Sequence, residues 1–341
     1  MEALASKYRP REFSDVVSQL SVVKILEKQI ELGEFKNCYL FCGPSGTGKT
    51  TIARILANKI NNGEGEPIEI DAASNNGVDK IREIVATANE RALDCEYKVI
   101  ILDETHVLTS QSWQVFLKCL EEPPKYTIFI FCTTDPQKIP ATILNRIMRF
   151  NLTKIPTNLI RDRLEYICKE EKLTNYETSI DYISKLANGG MRDAISLLDK
   201  VCAFSKDITI ENTLNILGDF SYDVFFKLTN AIIDNQDDVV ISILDKLYND
   251  GNDLKLFIEQ YLDFMLDIFK YCIFNSFNCI KIPQFYADDI AYVVGEGNNK
   301  PYFSKFVDRI LEIKNTIKYD TNIRTTIEVM FIKMCRGIMN D

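Results

Sequence analysis

Between Tyr39 and Thr51 the chain reads YLFCGPSGTGKTT, an apolar strand-like run that breaks into a glycine-rich loop and ends in Lys-Thr. Helix-forming sequence follows at once and continues to Ile60. Gly43, Gly46 and Gly48 can take backbone angles that bulkier residues avoid, so consecutive N–H groups of the loop Gly43-Pro44-Ser45-Gly46-Thr47-Gly48, Pro44 excepted, can turn inward on a phosphate. Lys49 supplies a fixed positive charge and Thr50 a hydroxyl for Mg²⁺. Thr51 continues the first turn of a helix whose positive end faces the same anion. Accidental matches to this pattern occur, but they rarely carry an apolar strand before and a helix after. The expectation is a strand–loop–helix unit that holds a nucleoside triphosphate.

A chain of 341 residues is too long for one ordinary core, and a 46% hydrophobic fraction is ample to bury two or three. Apolar runs are shorter than a membrane span, and MEALASKYRPREF lacks the apolar centre of a signal peptide, so a cytoplasmic, membrane-free protein is expected. The ten cysteines stand singly with no CxxC pair, which favours buried reduced thiols over a metal or disulfide framework. Net charge is −9, but residues 1–154 carry 19 basic against 20 acidic groups and residues 217–341 carry 13 against 19. The acidity therefore lies mostly in the last third. A few basic residues on one N-terminal face can still meet DNA, whereas a strongly basic stand-alone DNA-binding domain is excluded.

The first 150 residues alternate strand and helix, with strands expected at Cys38–Cys42, Pro67–Asp71, Lys98–Leu102 and Thr127–Cys132. Helices are expected at Leu20–Leu32, Thr50–Ile60, Val78–Leu93 and Ser110–Leu120. Nearly all-apolar strands between helices imply a parallel sheet covered on both faces, with ligands at the carboxyl ends of its strands. Val99–Leu102 ends in two such acids: Asp103 can hold Mg²⁺ through water and Glu104 can polarise an attacking water. Ile130–Cys132 ends in Thr133-Thr134, beside the acidic strand, although a Thr pair there equally suits a turn or cap. His106, the single histidine, has no evident partner in the sequence and is given no chemical role. Arg146, in IPATILNRIMRF, is open to two readings, a snorkelling surface residue or a finger reaching a neighbour's γ-phosphate. From Asn158 the apolar spacing is helical, and from Gly218 aromatic residues rise (Phe225, Phe226, Phe257, Tyr261, Phe264, Phe269, Tyr271, Phe274, Phe277). Such a stripe at helical spacing is usually core.

KYRPREFSDVVSQ, GPSGTGKTTIAR, IEIDAASNNGVDKIRE, VIILDETHVLT, FLKCLEEPP, CTTDPQKIPATILNR and NGGMRDAISLLDK together resemble, in order and spacing, the gamma/tau subunit of the bacterial DNA polymerase III clamp loader, an AAA+ ATPase. The resemblance is dense over roughly the first 205 residues. It implies an α/β plus all-α architecture with three domains: an AAA+ P-loop ATPase domain at 1–155, a helical lid at 156–217 and a helical oligomerisation collar at 218–341. It implies ATP and Mg²⁺ as cofactors and ATP hydrolysis that opens a sliding clamp and loads it on primer–template DNA during replication. Lys49 and Thr50 match phosphate and Mg²⁺ ligands, Asp103 the magnesium-linked acid, and Glu104 the catalytic base. Thr133 and Thr134 match the first sensor, Arg146 the arginine finger acting on the adjacent subunit, and Arg192 the second sensor. Pro10 and Val17 fall where the family packs around adenine. Arg82, Thr109 and Lys118 match positions that grip the DNA backbone without reading bases. Implied partners are other clamp-loader subunits in a pentameric spiral, the clamp, and DNA.

The departures are specific. Where the family carries a four-cysteine zinc module between the P-loop helix and the next strand, Asn58–Gly63 runs almost directly to the strand at Pro67, so no zinc is expected. The arginine-finger motif reads Asn145-Arg146-Ile147, and Gly77 replaces a DNA-facing lysine. The sequence ends at Asp341, without the long extension of the tau form. These features suggest a compact form from a divergent or phage source, acting in a bacterial or host cytoplasm. A branch-migration helicase or remodelling ring would need pore loops or substrate insertions that are not evident. A non-hydrolysing structural subunit would not need Lys49, Thr50 and Glu104 together, and a metabolic kinase leaves Arg146 and Arg192 unexplained.

Overall fold

Five strands pair in parallel in the order β2-β3-β4-β1-β5, where β1 is Cys38–Cys42, β2 Ile68–Asp71, β3 Lys98–Asp103, β4 Thr127–Thr133 and β5 Met148–Asn151. The three central strands are apolar between their end residues because both of their faces are covered. Tyr39, Phe41, Val99, Ile101, Ile128 and Ile130 point to one face, where they pack with Val23 and Leu26 of the helix Leu20–Leu32 and with Ile52, Ile55 and Leu56 of the helix Lys49–Ile60. The alternate residues Leu40, Ile100, Leu102, Phe129 and Phe131 pack on the other face against Ile81 and Ile84 of Val78–Ala88 and Trp113 and Phe116 of Ser110–Glu121. The computed structural model describes residues 2–295 and 300–337. It divides into two units: the chain up to Glu171 with Ala187–Asp199, and Lys172–Leu186 with the chain from Lys200 onward.

Three differences from the sequence reading have local causes. β2 starts at Ile68 because Pro67 has no N–H for the ladder. The helix expected to reach Leu93 ends at Ala88: Asn89 turns its side-chain amide back onto the Val85 carbonyl at 2.9 Å, and Leu93 is fully exposed, so no buried face remains to prolong it. β5 was not anticipated. It is a four-residue edge strand in which only Phe150 is buried, too short and too polar to show a period.

The second unit is helical. Its longest helix, Leu254–Phe274, places Phe257, Tyr261 and Phe264 in a row, with neighbouring ring centroids 6.1 Å apart in each step. Phe225, Phe303, Phe306 and Phe331 from other helices join the same core. Most of the aromatic stripe is thus interior, while Phe274 is exposed. Among the described residues none of the ten cysteines is in a disulfide; six are buried, and Cys279 is exposed, against the expectation of burial. Among the described residues no helix is long and apolar enough to cross a membrane.

Phe257 is wholly buried, so Phe257→Ala should lower the unfolding free energy by about 3–5 kcal/mol in urea titrations followed by far-UV circular dichroism. Tyr261→Phe removes only a hydroxyl that meets Thr229 Oγ1 at 2.9 Å and should cost about 1 kcal/mol. Equal losses for the two variants would contradict this core.

Candidate active site

Parallel pairing sends the carboxyl ends of β1, β4 and β3 to one edge of the sheet. The loop after β1 begins there, with Gly43 N–H bonded to the Thr133 carbonyl at 3.2 Å. It then wraps the amino end of the helix Lys49–Ile60, entered through Gly48 at φ 102°. Lys49 is 7% exposed, and its ammonium donates to the Gly43 and Pro44 carbonyls, each at 3.0 Å. A buried ammonium satisfied only by neutral carbonyls retains a full charge for an anion to meet. Thr50 Oγ1 donates to Asp103 Oδ2 at 2.6 Å, bridging the loop helix to the end of β3. A hydroxyl beside a carboxylate at a phosphate loop fits Mg²⁺, which takes one or two protein oxygens and completes its shell with water and phosphate.

Glu104 follows in the left-handed region (φ 50°, ψ 40°) and accepts a 3.4 Å bond from Thr134 Oγ1. His106 is not the partnerless residue that the sequence implied. Its Nδ1 lies 3.3 Å from Glu104 Oε2 and 3.3 Å from Thr133 Oγ1, because the short turn Thr105–Val107 folds it back toward the end of β4. The turn is anchored by Thr105 Oγ1, which donates to the Cys132 carbonyl at 3.1 Å. One imidazole therefore joins the acid of β3 to the hydroxyl of β4, a link invisible in sequence because it spans 27 residues.

A cleft opens over this edge. It is lined by Ser45–Thr51, Asp103 and Glu104, by Pro10 and Val17 from the N-terminal segment, and by Arg192. Gly43 and Pro44 stand behind Lys49 as its acceptors, and Thr133 and Thr134 reach the cleft through Glu104 and His106. Tyr8, Arg9, Arg163, Met191 and Ile195 also line it and were not singled out from sequence, although Tyr8 and Arg9 lie inside the KYRPREF motif. The N-terminal segment is pinned. Tyr8 Oη donates to Glu171 at 2.6 Å, Arg163 donates to the Tyr8 carbonyl at 3.0 Å, and Leu4 N–H reaches Asp199 at 3.2 Å. Burial first, then the bond to Glu171, push the Tyr8 hydroxyl up to about 12, so it stays a donor at neutral pH. The opposite wall is tied to the loop by Met191 N–H, bonded to the Gly46 carbonyl at 2.9 Å.

Four residues read from sequence lie away from the cleft lining. Arg146 donates to the Thr142 carbonyl at 2.6 Å and to Glu121 at 2.9 Å. Arg82 is exposed and paired with Asp79 at 2.8 Å, and Lys118 is exposed on the helix Ser110–Glu121. Thr109 caps that helix, its Oγ1 accepting from Ser112 N–H at 3.1 Å.

Two family models match: DNA polymerase III, delta subunit, over residues 66–156, and DNA polymerase III clamp loader subunit, ATPase lid domain, over residues 159–207. The chain is 32% identical to DNA polymerase III subunit gamma of Buchnera aphidicola subsp. Schizaphis graminum, across 77% of this chain and 79% of that protein. The chain belongs to the DNA polymerase III gamma/tau clamp-loader subunit family. DNA polymerase III subunit tau of Bacillus subtilis is 34% identical over 98% of this chain, which spans 63% of that longer relative. For the gamma/tau subunit of Mycoplasma genitalium the identity is 36%, over 80% of this chain and 50% of the relative. These are bacterial proteins, and a phage source draws no support from them. The Thermotoga maritima RuvB Holliday junction branch migration motor aligns at a TM-score of 0.52 and 19% identity, over 66% of this chain and 79% of that one. That likeness shows the AAA+ fold alone.

Gly46 (φ +70°) has no room for a side chain: an added Cβ would stand 2.9 Å from Gly190 Cα, a backbone atom of the opposite wall. Gly46→Ala should therefore cost about 1–3 kcal/mol of stability, read from the urea transition of the single, buried Trp113. An unchanged midpoint would mean that the loop and the wall are not in contact in solution.

Proposed function

We propose that this chain is an ATP-hydrolysing subunit of a sliding-clamp loader, using ATP and Mg²⁺ to open a clamp and place it on primer–template DNA. The observation that carries this reading is the single edge where Lys49, the Thr50–Asp103 pair and the Glu104–His106–Thr133 link meet. Lys49 exchanges its two carbonyl acceptors for phosphate oxygens, a stronger, charge-assisted pairing. Thr50 and Asp103 hold the cation, and Mg²⁺ there neutralises developing phosphate charge. Glu104 takes the proton of the attacking water, while Thr133 and Thr134, through His106, hold its carboxylate at the sheet edge. Pro10 and Val17 form the apolar seat for the base, and Arg192 senses the terminal phosphate from the opposite wall.

Arg146 supplies the finger to a neighbour's nucleotide. Its engagement with Glu121 and Thr142 in its own chain, rather than with its own cleft, supports use across a subunit interface. ATP bound between subunits then favours a spiral that holds the clamp open, and hydrolysis weakens the interfaces and releases it. Arg82, Thr109 and Lys118 face the DNA backbone in this scheme. The ATPase domain at 1–155, the lid at 156–217 and the collar at 218–341 complete it, with the collar holding partner subunits and the whole acting in the cytoplasm.

With its cognate clamp and partner subunits, the protein should hydrolyse ATP faster when primed DNA is added, and no stimulation would count against the proposal. Arg146→Ala should lower turnover by about 10²–10³-fold while leaving ATP affinity near that of the parent chain. Lys49→Ala should abolish binding itself, and equal loss of binding in both variants would rule out a finger acting in trans. His106→Ala should reduce kcat by about tenfold or more with little change in KM, since it removes support for the base and not a phosphate ligand.

A further inference from the structure

Two guanidinium groups that line the cleft, those of Arg9 and Arg192, make no hydrogen bond or ion pair among the described residues. Their neighbours differ. Arg54 is spent on Glu69 at 2.5 Å, and Arg163 on the Tyr8 carbonyl at 3.0 Å and the ring of Tyr166. Arg192 is exposed, whereas Arg9 is half-buried, so without an acceptor Arg9 forfeits part of its hydration and gains nothing in return. Arg9 did not arrive there through a loose tail, because the bonds of Leu4 to Asp199, of Tyr8 to Glu171 and of Arg163 to the Tyr8 carbonyl fix the segment that leads into it.

We infer that Arg9 is a further phosphate ligand of this cleft, closing with Arg192 on the terminal phosphate of a bound nucleoside triphosphate. The inference rests on the reading of the cleft as an ATP site. Its electrostatics agree: burial, then the like charges of Arg54 and Arg192, depress the Arg9 proton affinity, and Glu69 and Asp103 offset this only in part. The charge is disfavoured in the ligand-free protein, which is the condition an incoming anion relieves. The terminal phosphate is favoured over the inner ones because Arg9 feels both Arg192 and Asp103, the acid beside Thr50, whereas the amino end of the helix and Lys49 already serve the inner groups. Arg9 then discriminates triphosphate from diphosphate.

The test compares the full chain with Arg9→Gln and Arg9→Lys, measuring thermal unfolding without ligand and the affinities for Mg²⁺ with a slowly hydrolysed ATP analogue and with ADP. Arg9→Gln should unfold at the same temperature as the parent or higher, since it removes an unrewarded charge. It should weaken binding of the ATP analogue by about 10–100-fold and that of ADP by less than about threefold, with Arg9→Lys recovering part of the loss. Lower unfolding temperature in both variants with unchanged binding would make Arg9 structural and overturn the inference. Equal losses for the ATP analogue and ADP would overturn the terminal-phosphate assignment. If the parent chain binds neither nucleotide, the reading of the cleft fails, and that result is distinguishable because it does not depend on Arg9.

Discussion

The parallel pairing of β3, β4 and β1 is the constraint on which everything at the cleft edge of the sheet depends. Each of these strands delivers one component at its carboxyl end: the glycine-rich loop from β1, the hydroxyls of Thr133 and Thr134 from β4, and Asp103 with Glu104 from β3. Reversing any one strand would send its component to the far side of the sheet, some five residues away. The register is maintained by the apolar content of both faces. Leu40, Ile100 and Phe129 can pack against Phe116 and Ile81 only while Tyr39, Ile101 and Ile130 pack against Ile52 and Leu56. A one-residue slip would exchange the two sets and break both layers at once.

The cleft that results holds Arg9 where burial, then the like charges of Arg54 and Arg192, disfavour its charge. Lys49 has carbonyl acceptors in place of an anion, and Arg9 and Arg192 have none. The surrounding structure offsets that cost, through the pinned N-terminal segment on one side and the Gly46–Met191 bond on the other. An anion entering the cleft therefore gains more from Lys49 and Arg9 than it would from the same groups in water, because both are already partly dehydrated.

Much of this was legible in the amino-acid order. The glycine loop, the acids closing a run of aliphatic residues, the Thr pair and the aromatic stripe each announce themselves by local pattern, since each is a short segment whose chemistry and period agree. What failed to show has a common cause. β5 is short and half polar. His106 meets Thr133, and Arg9 the charges of Arg54, Arg192 and Asp103, all distant in sequence. Thr109 has a helix-capping duty that its local sequence permits but does not distinguish from an exposed contact.

By itself, then, the sequence determined the alternation of strands and helices, the glycine-rich loop that follows one strand and the acids that close another, and membership of a family of clamp-loader subunits. Those properties rest on local periodicity and on ordered motifs, which survive in one dimension. Only the tertiary structure decided which side chains share a space: that His106 sits between Glu104 and Thr133, that Arg146 is engaged outside its own cleft, and that Arg9 stands unpaired beside Arg192. Such pairings arise from parallel crossovers that bring together residues dozens of positions apart, and no local pattern records them.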